Sequence, residues 1–311
     1  MNNAIEIEGL TKVFNGGFVA VDDLTLEVER NSFVGFLGPN GAGKSTTIKM
    51  LTNLISATSG KAYLDGVDVV QDPKGALSNV GVVVETPEFY PYLTPNGILE
   101  YLGKLRGLKR EEIQSRTADV LELVKMSEES EKKIGEFSKG MKQRIAIAQA
   151  LMYDPSIVIL DEPTSGLDPR GMVEVREILQ SLKQKDLTVF MSSHLLNEVQ
   201  EICDNVAMMS RGKLILNSSV EELGNNATGA RIKVRTMVPM ENGGLSSIRE
   251  LDFVGDIEPR SKNEIIVDFT GQNGDRNALL RAIDLDYRVV SFSESGNSLE
   301  SLYLSKIKES R

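Results

Sequence analysis

Residues Gly38-Pro39-Asn40-Gly41-Ala42-Gly43-Lys44-Ser45-Thr46 follow the pattern G-x-x-x-x-G-K-[ST], the spacing of a loop that cradles nucleotide phosphates. Its flanks agree with that reading. Apolar Phe33, Val34, Phe36 and Leu37 precede it as a short buried strand, and Thr47, Ile48, Met50 and Leu51 follow as the start of a helix. The glycines let backbone N–H groups wrap a β-phosphate, and the helix N-terminus adds a positive dipole. Lys44 is placed to reach the β- and γ-phosphates, and the Ser45 hydroxyl to bind Mg²⁺. All four fixed positions are filled between a strand and a helix, so a chance Gly-rich turn is the weaker reading.

Working outward, 311 residues allow one large or two ordinary domains. A chain 41% hydrophobic and 26% charged is globular. The net charge of −10 argues against broad nucleic-acid binding through phosphate neutralisation and against attraction to anionic lipid. Residues 228–311 are nearly charge-balanced, so the acidity belongs to the first 227. The single cysteine, Cys203, excludes an internal disulfide and sits in an apolar pattern with Val199 and Ile202, as a buried thiol does. No run approaches 18 consecutive apolar residues, and Met-Asn-Asn-Ala-Ile-Glu lacks a signal-peptide pattern. The expected location is cytoplasmic, with any work at a membrane requiring another protein to hold the chain there.

Residues 4–9 and 24–29 alternate apolar and polar, which predicts antiparallel strands ahead of the phosphate loop. Residues 61–72 read as short strands around an Asp65-Gly66 turn, and Val80–Val84 as a buried strand. From Pro91 to Phe137 apolar residues recur at helical spacing, as in Ile98, Leu99, Leu102 and Leu105, then Val120, Leu121 and Val124. Ile157–Leu160 and Val189–Met191 return to buried-strand character. Gly224–Gly229 reads as a linker. Beyond it, Ile232–Val234, Ile265–Phe269 and Val289–Phe292 read as strands, and Ala278–Ile283 and Leu299–Ile307 as helices.

A phosphate loop alone does not separate kinases, GTPases and motor ATPases. Four further segments narrow the choice. Ile157–Glu162 is an apolar strand ending in two acids: Asp161 is placed to hold Mg²⁺ through water, and Glu162 to polarise an attacking water. Alone, the same residues also read as a solvated acidic turn. Phe137-Ser138-Lys139-Gly140-Met141-Lys142-Gln143-Arg144 opens a helix, with Ser138 as N-cap and the Gly140 N–H beside it forming a small anion-binding face. Ser165-Gly166-Leu167-Asp168 follows Glu162-Pro163-Thr164 directly. His194, the sole histidine, comes after the strand at Val189–Met191. A lone histidine is ordinarily structural, but its place after the acid pair suits a group that contacts a γ-phosphate.

Together these segments resemble the nucleotide-binding subunit of an ABC transporter. The resemblance covers residues 4 to about 223, with every element in order. It implies an α/β fold: a P-loop NTPase domain of the ABC type at 1–223, with a mixed-sheet core, an antiparallel β subdomain and a helical insertion at about 88–140. A linker and a small C-terminal α/β accessory domain follow at 224–311. Gly38–Thr46 resembles the family's phosphate loop. Ser138–Met141 resembles its signature segment, with Lys139 and Met141 where Gly and Gln are commonest. Asp161 and Glu162 resemble its metal-side acid and catalytic base, Ser165–Asp168 its crossing loop, and His194 its switch histidine. Phe14 stands where family members put the aromatic that stacks on adenine; an ordinary core aromatic is the competing reading.

The resemblance implies ATP as substrate and Mg²⁺ as metal, with Lys44, Glu162 and His194 acting in hydrolysis. It implies a membrane-spanning permease as partner, through which a drug, peptide antibiotic or lipid-like substrate is exported, and peripheral attachment to the inner face of the cell membrane. It also implies a second copy, or a related ATPase, whose Ser138 and Gly140 complete the site, with Met141 and Asp168 also among the nucleotide-binding residues. One departure stands out. Glu85 occupies the place where Gln is usual, resembling the subset tied to peptide-antibiotic and lantibiotic export or immunity. A carboxylate there is a stronger Mg²⁺ ligand than an amide, yet it adds an anion near the triphosphate. Leu299–Leu304 resembles the closing helix of the C-terminal domain found in drug-resistance exporters. The competing readings are a soluble ABC-type ATPase acting on ribosomes or DNA, and a GTPase. The first is disfavoured by one nucleotide domain, no long coiled-coil insertion and the acidic charge; the second by the lack of an Asn-Lys-x-Asp segment.

Overall fold

The computed structural model describes residues 3–225, 230–240, 245–271 and 273–294. The chain divides into two compact units, Met1–Val220 and Glu221–Arg311.

The first unit holds two sheets. In the smaller, β1 (Asn3–Val13) and β2 (Val19–Glu29) pair antiparallel, followed by β4 (Ser59–Leu64) and β5 (Val67–Asp68), in the order β2-β1-β4-β5. β1 and β2 extend well past the expected 4–9 and 24–29. Between β4 and β5, Asp65 and Gly66 both take positive φ, the conformation of a two-residue hairpin turn.

The larger sheet has the order β10-β9-β3-β8-β7-β6. β3 (Phe33–Leu37), β6 (Val80–Val83), β7 (Ile157–Leu160), β8 (Thr188–Ser193) and β9 (Asn205–Ser210) run parallel, while β10 (Lys213–Ser219) closes one edge antiparallel. Every residue of β3, β7 and β8 is buried. That is why their sequences are continuous apolar runs: a parallel strand covered on both faces has no solvated side. Phe36 and Phe190 meet at the centre, ring centroids 5.0 Å apart. Helix α1 (Lys44–Leu51) buries Ile48 and Leu51 in one core with Phe36, Ile159, Ile7 and Leu24, so the two sheets share an interior.

The short α2 (Pro73–Ala76) precedes β6, and α3 (Pro95–Leu105) and α4 (Arg110–Leu123) form the helical insertion. Thr94 caps α3 by accepting from the Gly97 N–H, with Pro95 in the first turn. α5 (Lys139–Leu151) leads into β7, α6 (Pro169–Leu182) links β7 to β8, and α7 (Leu196–Ile202) links β8 to β9. α8 (Val220–Asn225) occupies part of the stretch expected to be linker; residues 226–229 lie outside the described residues.

The second unit carries β11 (Ala230–Thr236), α9 (Ser246–Arg249), β12 (Val254–Ser261), β13 (Glu264–Phe269), α10 (Asn273–Tyr287) and β14 (Val289–Glu294). The sheet order is β12-β13-β11-β14 with every neighbour antiparallel. This is the split β-α-β-β-α-β arrangement of ferredoxin-like units. Ile232, Val234, Ile265, Val267 and Phe269 alternate inward to meet Leu279 and Ile283 of α10. On the other side of the strands Arg231 reaches both Asp268 and Glu258. The helix expected at Leu299–Ile307 lies outside the described residues.

Candidate functional site

The phosphate loop joins the end of β3 to α1. α1 starts from Gly43, left-handed at φ 108°, with no side-chain cap. A Cβ there would strike the Ala20 carbonyl oxygen, so only glycine fits. An uncapped helix start leaves its first N–H groups for an anion. Lys44 is 4% exposed and folds back over the loop, donating to the carbonyl oxygens of Gly38 (2.8 Å) and Pro39 (3.2 Å). A pocket of about 150 Å³ opens here, lined by Asn40, Gly41, Gly43, Lys44, Ser45, Thr46 and Glu162.

The end of β7 delivers the two acids. Asp161 is buried, and its Oδ1 accepts from Ser45 Oγ (3.2 Å) and Ser192 Oγ (2.6 Å). Glu162 is the next residue and is left-handed at φ 46°, a strained conformation for a non-glycine residue. Its N–H donates to Ser192 Oγ at 2.9 Å. Its carboxylate lies between Lys44 Nζ (Oε1, 3.5 Å) and His194 Nδ1 (Oε2, 3.1 Å). His194 extends from the end of β8, where Ser193 anchors the turn: the Ser193 carbonyl accepts the Gly38 N–H at 3.3 Å, and its Oγ donates to buried Glu198 at 2.8 Å. Lys44, Ser45, Asp161, Glu162 and His194 are thus one cluster, joined through Ser192 and by the Lys44–Glu162 and His194–Glu162 contacts.

Ser138, Gly140, Met141 and Asp168 lie elsewhere. They line a separate cleft of about 670 Å³ with Arg144 and Arg170, and that lining shares no residue with the loop pocket. Two of these residues already serve as caps. Ser138 Oγ accepts the Met141 N–H (3.2 Å) at the start of α5, and Asp168 Oδ1 accepts the Gly171 N–H (3.2 Å) at the start of α6. Phe14 stands at the β1–β2 hairpin, 42% exposed, with Lys12 Nζ 5.1 Å from its ring centroid. It is not a core aromatic.

Glu85 follows β6 in a left-handed conformation (φ 66°) and pairs with Lys49 of α1. The extra anion expected at this place is thus paired with a cation. The Lys49 hydrogen bond, then its charge, holds the Glu85 carboxyl below the usual carboxylate value. Sequence reasoning missed Lys49 and Ser192. Lys49 stands four residues after Ser45, one helical turn on, and Ser192 is a polar residue at the end of an apolar strand.

A sequence model of the ABC transporter family matches residues 21–165. The bacitracin transport ATP-binding protein BcrA of Bacillus licheniformis is 35% identical over 309 residues, covering 99% of this chain and 98% of that protein. The chain belongs to the ABC transporter ATP-binding subunits. The linearmycin resistance ATP-binding protein LnrL of Bacillus subtilis is 31% identical, covering 96% of this ABC subunit and 97% of that one. Among solved structures, CbiO1 of Clostridium perfringens, described as part of the transporter complex CbiONQ, superposes with TM-score 0.66 at 26% identity, covering 73% of this chain and 92% of that one. A dimeric ATP-binding cassette in a post-hydrolysis state with ADP and Pi gives TM-score 0.62 at 25% identity, covering 70% and 98%. This ABC subunit is an ATP-binding and ATP-hydrolysing enzyme. Among its described residues no helix is long and apolar enough to cross a membrane.

Proposed function

We propose that this ATPase powers export of a drug or peptide antibiotic through a separate membrane-spanning permease, working as a dimer on the inner face of the membrane. The observation that carries the dimer is the split of the expected nucleotide-contacting residues between two linings. Lys44, Ser45 and Glu162 attend one triphosphate, and Ser138, Gly140, Met141 and Asp168 point to a triphosphate held by another copy. The full-length likeness to bacitracin and linearmycin subunits supports export and the substrate class. Residues 1–223 form the nucleotide-binding domain in this reading, and 224–311 an accessory domain.

Ser45 Oγ and Asp161 Oδ1, 3.2 Å apart, are hard oxygen donors of the kind Mg²⁺ takes beside substrate phosphates. They would hold the metal, with Glu85 free to join when it leaves Lys49. When bound, Mg²⁺ neutralises charge on the β- and γ-phosphates. Glu162 accepts a proton from a water as its oxygen bonds to the γ-phosphorus; the bond to the β,γ-bridging oxygen breaks, and ADP and phosphate result. Lys44 and the loop N–H groups offset the charge that develops. His194 orients Glu162 and contacts the γ-phosphate.

The test is Glu162→Gln with saturating ATP, followed by light scattering. The substitution abolishes hydrolysis and yields a stable ATP-bound dimer. A persistent monomer would overturn the two-copy site.

A further inference from the structure

The start of α5 is joined both to the Ser165 turn and to the start of α6. Lys139 Nζ donates to the Ser165 carbonyl oxygen over 2.9 Å. Gly166, left-handed at φ 67°, lies against that ammonium, and a Cβ there would collide with Nζ. A side chain at 166 would therefore push the lysine's flexible end away from its acceptor. Beside this contact the helices meet glycine to glycine, a Cβ on Gly140 standing 3.4 Å from the Gly171 Cα. The Ser165 turn is closed from its other side by its own N–H, which donates to the Glu162 carbonyl oxygen at 3.0 Å. A chain of two hydrogen bonds therefore runs from the start of α5 to the backbone of the residue that attends the phosphate loop.

Helix stability does not explain Lys139. A cation in the first turn opposes the helix dipole, and α5 has no acidic residue there to offset it. The side chain is exposed, so it fills no core space. What it does is fix the Ser165 turn relative to the Ser138–Gly140 segment.

We propose that Lys139 is a positioning residue that couples the two ATP sites of the dimer. This rests on the reading that Ser138 and Gly140 of one copy meet the triphosphate of the other. ATP at the partner's loop engages the start of α5; Lys139 carries that engagement to the Ser165 turn, and the turn sets Glu162 over this chain's own ATP. Each site thereby favours the competent state of the other, and such coupling is reciprocal. Strain at Glu162 (φ 46°) is the means: a residue held in a sparsely populated conformation has an alternative to fall back to when the clasp opens.

The experiment uses the full chain with Mg-ATP and compares Lys139→Ala, Lys139→Arg and Gly166→Ala. The Hill coefficient of ATP hydrolysis is expected above 1 in the parent, near 1 in Lys139→Ala and Gly166→Ala, and restored in Lys139→Arg, whose guanidinium still donates to a carbonyl. In parallel, Glu162→Gln and Lys139→Ala/Glu162→Gln are tested for the ATP-bound dimer by light scattering, and both are expected to form it. An unchanged Hill coefficient in Lys139→Ala, or a non-cooperative parent that dimerises, overturns the coupling role. Loss of the dimer only in the double variant overturns it too, since Lys139 is then an interface contact. Failure of Glu162→Gln alone to dimerise removes the two-copy reading itself, which is a separate readout.

Discussion

Ser192 Oγ donates to Asp161 Oδ1 at 2.6 Å and accepts the Glu162 N–H at 2.9 Å, so one buried hydroxyl fixes both acids at the end of β7. It is fully buried and has no route to water. Ser192→Ala leaves the Glu162 N–H and Asp161 Oδ1 each short of a partner, at a cost of about 1–3 kcal/mol in stability. Glu162 loses the bond that holds its strained backbone, so kcat should fall by about tenfold or more, while KM for ATP, set by the loop, changes little. Urea unfolding and steady-state kinetics measure the two effects. Equal changes in kcat and KM would count against the positioning role.

The Lys49–Glu85 pair gives a prediction about pH and charge. The pair lowers the Glu85 carboxyl, so its contribution to stability is present above the unfolded carboxylate value and is lost as pH falls through the lowered folded value. Near neutral pH the Glu85 carboxyl, held below its usual value, is ionised. The difference in melting temperature between the parent and Glu85→Gln should therefore be constant around neutrality and shrink in acid. Glu85→Gln should keep ATP binding and alter the coupling of hydrolysis to transport, because it releases Lys49, one helical turn along α1 from Ser45. Transport-coupled rates identical to the parent would refute the second half.

What the sequence disclosed follows from how each element is buried. β3, β7 and β8 were legible because strands covered on both faces are unbroken apolar runs. β1 and β2 were read too short because register shifts near Gly9 and Leu10 break the two-residue alternation partway along. β12 escaped notice: it is an edge strand, buries only Ile257 and contains Pro259, all of which erase a strand pattern. The phosphate loop, the acid pair and His194 were legible from spacing along the chain. Lys49 and Ser192 were not, since each matters through a residue from another element, and a single sequence does not pair Lys49 with Glu85 or Ser192 with Asp161.

Cys203 is 5% exposed at the end of α7, and burial pushes its thiol well above the ordinary value. It is a neutral thiol throughout the physiological range, and only the thiolate is a good nucleophile. Iodoacetamide should leave it unmodified in the native protein and label it fully in denaturant, as read by intact mass. Labelling at equal rates in both states would show that the α7 end opens readily.

Phe14 remains 42% exposed with the Lys12 ammonium 5.1 Å from its ring, while Lys12 Nζ is itself anchored to the Ser56 carbonyl oxygen at 2.6 Å. The cation lies against the ring, and the ring's remaining exposed surface is available for a flat base. Stacking a base on an aromatic ring contributes about 1–3 kcal/mol, which is about 5- to 150-fold in affinity. Phe14→Ala should raise KM for ATP within that range and leave kcat unchanged, because adenine is remote from the bond that breaks. Phe14→Tyr should preserve KM, since the ring face is kept. Lys12→Met should raise KM less than Phe14→Ala, by removing the cation–π contact while sparing the ring. Substitution at an exposed position should leave the urea midpoint nearly unchanged. A large loss of stability in Phe14→Ala, with KM unaffected, would mean that the ring supports the hairpin and not the nucleotide.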